Sequence, residues 1–329
     1  MVVVNWNRKE LLRACLGSLA RQRNVDFETI VVDNGSSDGS ADVAAGEFGA
    51  RVIQNRENRG FCAANNQGIA AARGEFVALL NNDAEAEPDW LAELHRACAS
   101  RPEIGMAASK VLVWEDPSRI DKAGHLMFPD GQNRGRGTGA LDHGQFDCEE
   151  EVLWPDGCAA MYRKRMLEEI GGFDEDFFAY GDDAELGLRA RIAGWLCLYT
   201  PRAVVRHHRG ATLGKDSAWR LQLIERNRVL LAVKLFPWSL LALNPLYYAA
   251  RLAAGAVMAH GGQGDTAHFP GARGKLAIVR ALAAGDFAAL RMIPRMLRKR
   301  AQLRRIRRLT PGEVRRLLLA HRLSLAEVA

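Results

Sequence analysis

Short β-branched runs alternate with stretches of helical periodicity through about residue 110, the signature of a parallel sheet wound with helices. Val2 to Val4 predicts the first strand, Ile30 to Val32 the second, Val52 to Ile53 the third and Phe76 to Leu80 the fourth. Leu11, Leu12, Cys15 and Leu19 recur at helical spacing behind Asn7, which is expected to cap that helix; further helices are expected at Phe61 to Ala72 and Trp90 to Ser100. Asp116 to Asp147 is rich in Gly, Asp and Arg without a period, and reads as loops or a mobile flap. Order resumes at Val152. Farther on, Ala203 to Val205 is strand-like, and a helix is expected from Trp219 to Phe236, closed by Pro237. The rest is helical and increasingly basic, with a break at Gly261 to Gly264. A first domain is therefore expected over residues 1–235 and a helical region over 236–329. The chain opens directly in its first strand without a leader, as if a few upstream residues were missing.

Composition changes this picture little until the end of the chain. With 329 residues and 48% hydrophobic content, the protein can bury one large core or two smaller ones. Its six cysteines are scattered, with no CxxC pair and no secretory signal, which favours a reduced, cytoplasmic setting over a disulfide framework or a structural zinc. The net charge of +6 is concentrated from Arg291 through Arg322, where arginines interleave with apolar residues as an amphipathic basic helix. That pattern fits an anionic membrane surface, at the cytoplasmic face, better than nucleic acid. Trp238 to His260 is apolar, but Asn244, Pro245 and Arg251 interrupt it, so it suits an interfacial segment and not a span.

The polar residues that break the pattern carry the chemistry. In GGFDEDFFAYGDDAELGLRARIAGW, an aromatic run delivers Asp182, Asp183 and Glu185 to the first turn of a short amphipathic helix, with Leu188 and Ile192 as its buried stripe. One carboxylate suffices for a cap; so many around Phe178 and Tyr180 repel one another and point to a cationic or catalytic site. Other loops follow strand ends, where an open α/β sheet binds ligands. In VVDNGSSDGS, Asp33 ends a strand and can accept an imide N–H, while Asp38 and Ser40 suit an Asx turn. In NRENRGFCAANNQG, Arg59 beside a helix start suits a diphosphate, and Asn65 and Asn66 are an unusual polar load. In LLNNDAEAEPDWL, Asp83 flanked by amides suits Mg²⁺ or Mn²⁺.

Together with VVVNWNR and VRHHRGAT, these motifs in this order resemble the family 2 glycosyltransferases of the A-type fold, and more closely the bacterial rhamnosyltransferase-like members, over about residues 1 to 235. The resemblance implies a Rossmann-like, mostly parallel α/β sheet with flanking helices, plus the C-terminal helical basic region. It implies a nucleotide-sugar donor, dTDP- or UDP-linked, and a glycan or lipid-linked acceptor. Nucleotide binding would fall to Asn5, Asp33, Asn34, Ser36, Arg59 and Asn65. Asp83 matches the last position of the metal motif, with Asn81 where relatives carry its first aspartate; His207 matches a metal-completing histidine spaced from Gly210 and Thr212, and His208 next door leaves that choice open. Asp183 matches the general base of an inverting transfer, supported by Asp182 and Glu185. Trp154, Asp156, Tyr180 and Trp195 are candidates for the sugar pocket. Another hexosyl or galactofuranosyl transfer on the same fold is the alternative among enzymes; a nucleotidyltransferase would want a Gly-rich loop after the first strand, and a glycan-binding scaffold would lack the acids that Asp33, Asp83 and Asp183 supply.

Overall fold

The protein is described from a computed structural model, which covers residues 1–208, 217–260 and 271–328. Gly210, Thr212 and the Gly261 to Gly264 break lie outside the described residues. The chain forms two compact units, one from Met1–His125 and Gly135–Thr212, the other from Leu126–Arg134 and Leu213–Ala329.

The first unit begins with the alternation expected: β1 (Val2–Asn5), α1 (Lys9–Ala20), β2 (Ile30–Asp33), α2 (Ser40–Gly46), β3 (Arg51–Gln54), α3 (Gly60–Ala71) and β4 (Phe76–Leu80). β4, β1, β2 and β3 lie side by side and parallel, with Val3 opposite Val31 and Asn5 opposite Asp33. Val2, Val3, Ile30, Val31 and Val32 have no exposed surface, as continuous apolar strands covered on both faces require.

Beyond this half the sheet becomes mixed. β5 (Ala84–Ala86), α4 (Trp90–Ala99), β6 (Ile104–Val113), β7 (Ile120–Lys122), β8 (His125–Met127), β9 (Asn133–Gly135), β10 (Glu150–Val152), β11 (Ala159–Arg163), α5 (Lys164–Ile170), α6 (Asp182–Ile192) and β12 (Leu196–His207) complete the first unit and the hairpin that leaves it. The ten-stranded sheet runs β10-β12-β6-β11-β4-β1-β2-β3, with β5 on β12 and β7 on β6; β11 is antiparallel to both neighbours, whereas β12 is parallel to β6.

Three local expectations change. Asn7 does not cap α1: its side-chain oxygen accepts from Ser37 N (3.0 Å), and the first amide of α1, at Lys9, is capped by Asp38 (2.8 Å), which also accepts from Ser40 N (3.1 Å). The stretch Asp116 to Asp147 contains β7, β8 and β9, with Asp121, His125 and Asp130 buried, so it is no flap. α6 is not a surface helix with one buried stripe; its residues from Ala184 to Ile192 are all buried, including Arg189 and Arg191.

The second unit holds α7 (Ala218–Leu235), α8 (Trp238–His260), α9 (Gly271–Gln302), α10 (Pro311–Ala320) and α11 (Leu325–Val328). α7 groups with the C-terminal helices, whereas the pattern of elements along the sequence put the boundary after residue 235. Thr310 and Glu313 close a capping box at the start of α10. No described helix is long and apolar enough to cross a membrane.

Candidate active site

The carboxyl ends of the strands carry the polar residues singled out above. Asn5 and Asp33, paired across β1 and β2, are fully buried. Asn5 Nδ2 donates to Asp33 Oδ1 (3.3 Å) and Ser36 Oγ (3.2 Å), Ser36 N donates to Asp33 Oδ2 (3.0 Å), and Asn82 Nδ2 donates to Asn5 Oδ1 (2.7 Å). Each Asp33 oxygen keeps a second lone pair in this frame. Asn34 fixes the neighbouring loop, donating to Asn58 Oδ1 (2.9 Å) and Gly60 O (3.2 Å) and accepting from Arg59 N (3.1 Å).

The third loop is more structural than its sequence suggests. The amides of Phe61 and Cys62, at the start of α3, both donate to Phe178 O (2.8 and 3.2 Å), so those helix-start donors are taken by the aromatic loop instead of being open to a diphosphate. Asn65 Nδ2 donates to Phe61 O (3.0 Å), and Asn66 exchanges two hydrogen bonds with the Phe173 backbone (2.8 and 2.9 Å). Asn66 thus secures the start of the Phe173 to Gly181 loop, whereas Asn65 bonds within its own helix and Gln67 bonds Asn55. Gly60, at φ +84°, is needed there, since a Cβ would sit 2.5 Å from the Phe178 ring. Arg59 remains exposed.

A strand pairing brings Asp83 and His207 together. β5 runs antiparallel to β12 with Ala84 opposite His207, and His208 N donates to Asp83 O (2.9 Å). Asp83 Oδ1 is buried without a hydrogen-bond partner, 3.4 Å from His207 Nε2. His207 Nδ1 lies 2.9 Å from Asp121 Oδ2, which fixes the ring so that Nε2 faces Asp83. Burial pulls the His207 pKa down, but the Asp121 and Asp83 carboxylates outweigh it and raise it to about 9. His208 faces elsewhere, stacked on Trp114 with ring centroids 4.1 Å apart.

Asp183 belongs to a second cluster. His125 Nε2 lies 2.9 Å from Asp156 Oδ2 and 3.6 Å from Asp183 Oδ2, Lys122 Nζ reaches Asp156 Oδ2 at 2.5 Å, and Gly157 N donates to Asp183 Oδ2 (3.3 Å). Burial pushes the Asp183 carboxyl above the usual range, aided by Asp156 and opposed by His125 and Lys122. Burial and the Asp183 charge push Asp182 well above it. Asp156 is also buried, yet Lys122 and His125 hold it well below. Three neighbouring acids therefore sit at different points on the proton scale.

Several expected site residues act differently. Glu185 is fully buried and takes Arg189 in a two-pronged pair (both 2.8 Å), and Arg189 also donates to the carbonyls of Ile170, Gly171 and Gly172, pinning the entry to the aromatic loop. Trp154 has no exposed surface and stacks behind His125, with centroids 5.9 Å apart. Trp195 precedes β12 at the end opposite His207, beside Gly105 near Met166, and so does not line the site. Asp156 is a charge partner in the second cluster. Tyr180, at φ 68°, shares a left-handed backbone with Phe178 and Gly181 just ahead of Asp182; such strain in residues other than glycine costs about 1–3 kcal/mol each.

Asp121, Lys122 and His125 were missed by the sequence analysis. They are two neighbouring residues of β7 and the first residue of β8, and their only signal is a charged and imidazole-bearing RIDKAGH inside a segment without period. His125, Asp156 and Asp183 each offer a ligand atom within 4.8 Å of the others and could hold a metal ion. Lys122, already 2.5 Å from Asp156, competes for that place. The unpartnered Asp83 oxygen and the oriented His207 fit a divalent cation better.

Comparison with known proteins agrees with this architecture. A family model, Glycosyl transferase family 2, matches residues 1–171. The chain is 28% identical to N-acetylglucosaminyl-diphospho-decaprenol L-rhamnosyltransferase of Mycobacterium tuberculosis, over 67% of this chain and 79% of that protein. It is 30% identical to the uncharacterized protein y4gI of Sinorhizobium fredii and to the O-antigen biosynthesis protein RfbC of Myxococcus xanthus, over 66% of this chain in each case, but it spans only 25% and 18% of their lengths. Among solved structures it is similar to GalNAc-T7 with UDP, GalNAc and Mn²⁺, at TM-score 0.61 and 15% identity, covering 76% of this chain and 49% of the other. It is also similar to the mannosyltransferase PcManGT from Pyrobaculum calidifontis with GDP-Man and Mn²⁺, at TM-score 0.54 and 20% identity, covering 88% and 86%. Those two likenesses show the fold, the glycosyltransferase A-type arrangement.

Proposed function

Since the chain belongs to glycosyl transferase family 2, we propose that it transfers a sugar, rhamnose from dTDP-rhamnose fitting best, to a hydroxyl of a cell-surface glycan or lipid-linked acceptor. The observation that carries this mechanism is the Asp121–Lys122 pair: one residue orients His207 beside Asp83, and the next neutralises Asp156 beside Asp183. One dipeptide thus ties a cation-binding pair to a carboxylate of raised pKa. The mycobacterial rhamnosyltransferase among the relatives supports the choice of sugar.

In this mechanism Asp183 removes the proton from the acceptor hydroxyl as its oxygen bonds the anomeric carbon from the face opposite the diphosphate. The bond to the diphosphate breaks, the leaving group keeps the electron pair, and configuration inverts. Asp183 suits the task because burial raises its pKa, while burial and the Asp183 charge push Asp182 higher still and Lys122 and His125 hold Asp156 low. Asp33, Asn34 and Ser36 shape the nucleoside loop, and Arg59, exposed just ahead of α3, would meet the diphosphate. A divalent cation, Mg²⁺ or Mn²⁺, held by Asp83 and His207 would neutralise charge on the leaving diphosphate.

Thermal shift with dTDP- and UDP-sugars, with and without Mg²⁺ or Mn²⁺, tests the donor: stabilisation by dTDP-rhamnose is expected, preference for a UDP-sugar would turn the assignment to another hexosyl or galactofuranosyl transfer, and stabilisation by none would count against transfer altogether. Asp183→Asn should lower turnover by about 10²–10⁴ while sparing donor binding. Near-normal transfer by that variant would remove Asp183 as the base.

A further inference from the structure

α8 is built inside out. From Trp238 to Met258 every exposed position is apolar except Ser239, with Leu246 69% and Val257 73% exposed. The polar side chains turn inward. Asn244 Nδ2 donates to Asp130 O (2.8 Å), Tyr248 Oη donates to Asp286 (2.8 Å), and Arg251 donates to Asp130 Oδ2 (2.6 Å) and Glu225 Oε2 (3.0 Å). Asp130 and Glu225 are buried, and Arg228 completes the network on Glu225 (2.6 Å). A helix facing water carries the reverse pattern, so the solvent of this outer face is not water alone.

α9 supplies charge. Its exposed residues mix Leu276, Val279, Phe287 and Leu290 with Arg291, Arg295 and Arg298, and Arg291 stacks over Phe287 at 4.3 Å. The single acid of α9, Asp286, bonds Tyr248 and lies 3.5 Å from Arg228. Among the described side chains the exposed surfaces of α8 and α9 therefore carry apolar groups and positive charge, and no acid.

We propose that these two helices dock the protein on an anionic lipid bilayer, the apolar side of α8 entering the boundary between headgroups and acyl chains and the arginines of α9 meeting lipid phosphates. A second copy of the chain would set arginine against arginine, whereas a lipid surface offers negative charge at every position without a fixed register. Since no described helix can span, the contact is interfacial. The proposal stands apart from the transfer reaction and does not depend on it.

Vesicle flotation of the full chain tests it, using phosphatidylcholine alone and phosphatidylcholine mixed with phosphatidylglycerol. Flotation should be at least about tenfold stronger with the anionic vesicles. Leu246→Glu with Val257→Glu, and separately Arg291→Glu with Arg295→Glu, should each lower it at least about tenfold. These positions are exposed, and an unchanged melting temperature checks that each variant is folded. Equal flotation with both vesicle types, flotation with neither, or variants that float like the parent would overturn the proposal. Concentration-dependent dimerisation lost in the same variants, without flotation, would assign the face to a second copy.

Discussion

Lys122 is the side chain whose removal most directly tests how the acids divide their protons. It lies 2.5 Å from Asp156 and lowers the proton affinity of both Asp156 and Asp183. Lys122→Gln removes that positive charge, so the Asp183 pKa rises further. As the proposed base Asp183 would work deprotonated, so the acid limb of the kcat profile should then move to higher pH, with activity recovering toward alkaline pH. A limb that stays put or moves down would show that Lys122 does not act on the base. The variant should also lose on the order of 3 kcal/mol of stability, because the buried Asp156 loses its cationic partner; thermal melting measures that. The residue scale is also where sequence was most and least informative. Asp33, Asp83 and Asp183 stood out because carboxylates at strand ends or crowded in one helical turn break the local pattern. Lys122 and His125 did not, since their partner Asp156 lies more than thirty positions away in the chain and nothing local marks the pairing.

At the scale of elements, α6 shows what periodicity can and cannot reveal. Its charges were legible as a dipole-matched helix, acids first and arginines last. Its burial was not, because most of what meets the arginines lies off the helix: Arg189 pairs with Glu185 one turn back but also bonds the 170–172 carbonyls, and one nitrogen of Arg191 reaches Glu151. The same holds for β7 to β9, strands of three residues each, too short for alternation to show. β1 to β4 were legible because each is an apolar run between helices of clear period. α6 also packs closely at Gly187, where a Cβ would lie 2.1 Å from Trp154 Cβ. Gly187→Ala should therefore destabilise by about 1–3 kcal/mol despite the better helix propensity of alanine, because Trp154 must shift. Trp154 stacks on His125, so transfer should fall as well. A melting temperature equal to or above that of the parent would contradict this packing.

At the scale of the whole molecule, the order of elements was legible along the chain, whereas its partition into two units was not. The pattern of elements pointed to a helical end after residue 235, yet the second unit also takes α7 and a nine-residue excursion, Leu126–Arg134, from the middle of the chain. Asp130 sits in that excursion and is met by Arg251 Nε at 2.6 Å and, through its carbonyl, by Arg228 at 3.0 Å and Asn244 at 2.8 Å. A fragment ending at residue 216 should therefore be markedly less stable than the full chain, and Asp130→Asn should restore part of the loss in the fragment while destabilising the intact protein. Urea melts of the four proteins read this out, and an Asp130→Asn effect of the same sign in both backgrounds would refute it.

The excursion has a consequence for ancestry and engineering. A helical module appended at one terminus can be exchanged by splicing at a single junction, but this one is stitched through the catalytic sequence one residue after His125. Any graft of a new C-terminal region onto this scaffold must bring its own version of 126–134, and recombination that breaks the chain only once will separate Asp130 from its arginines.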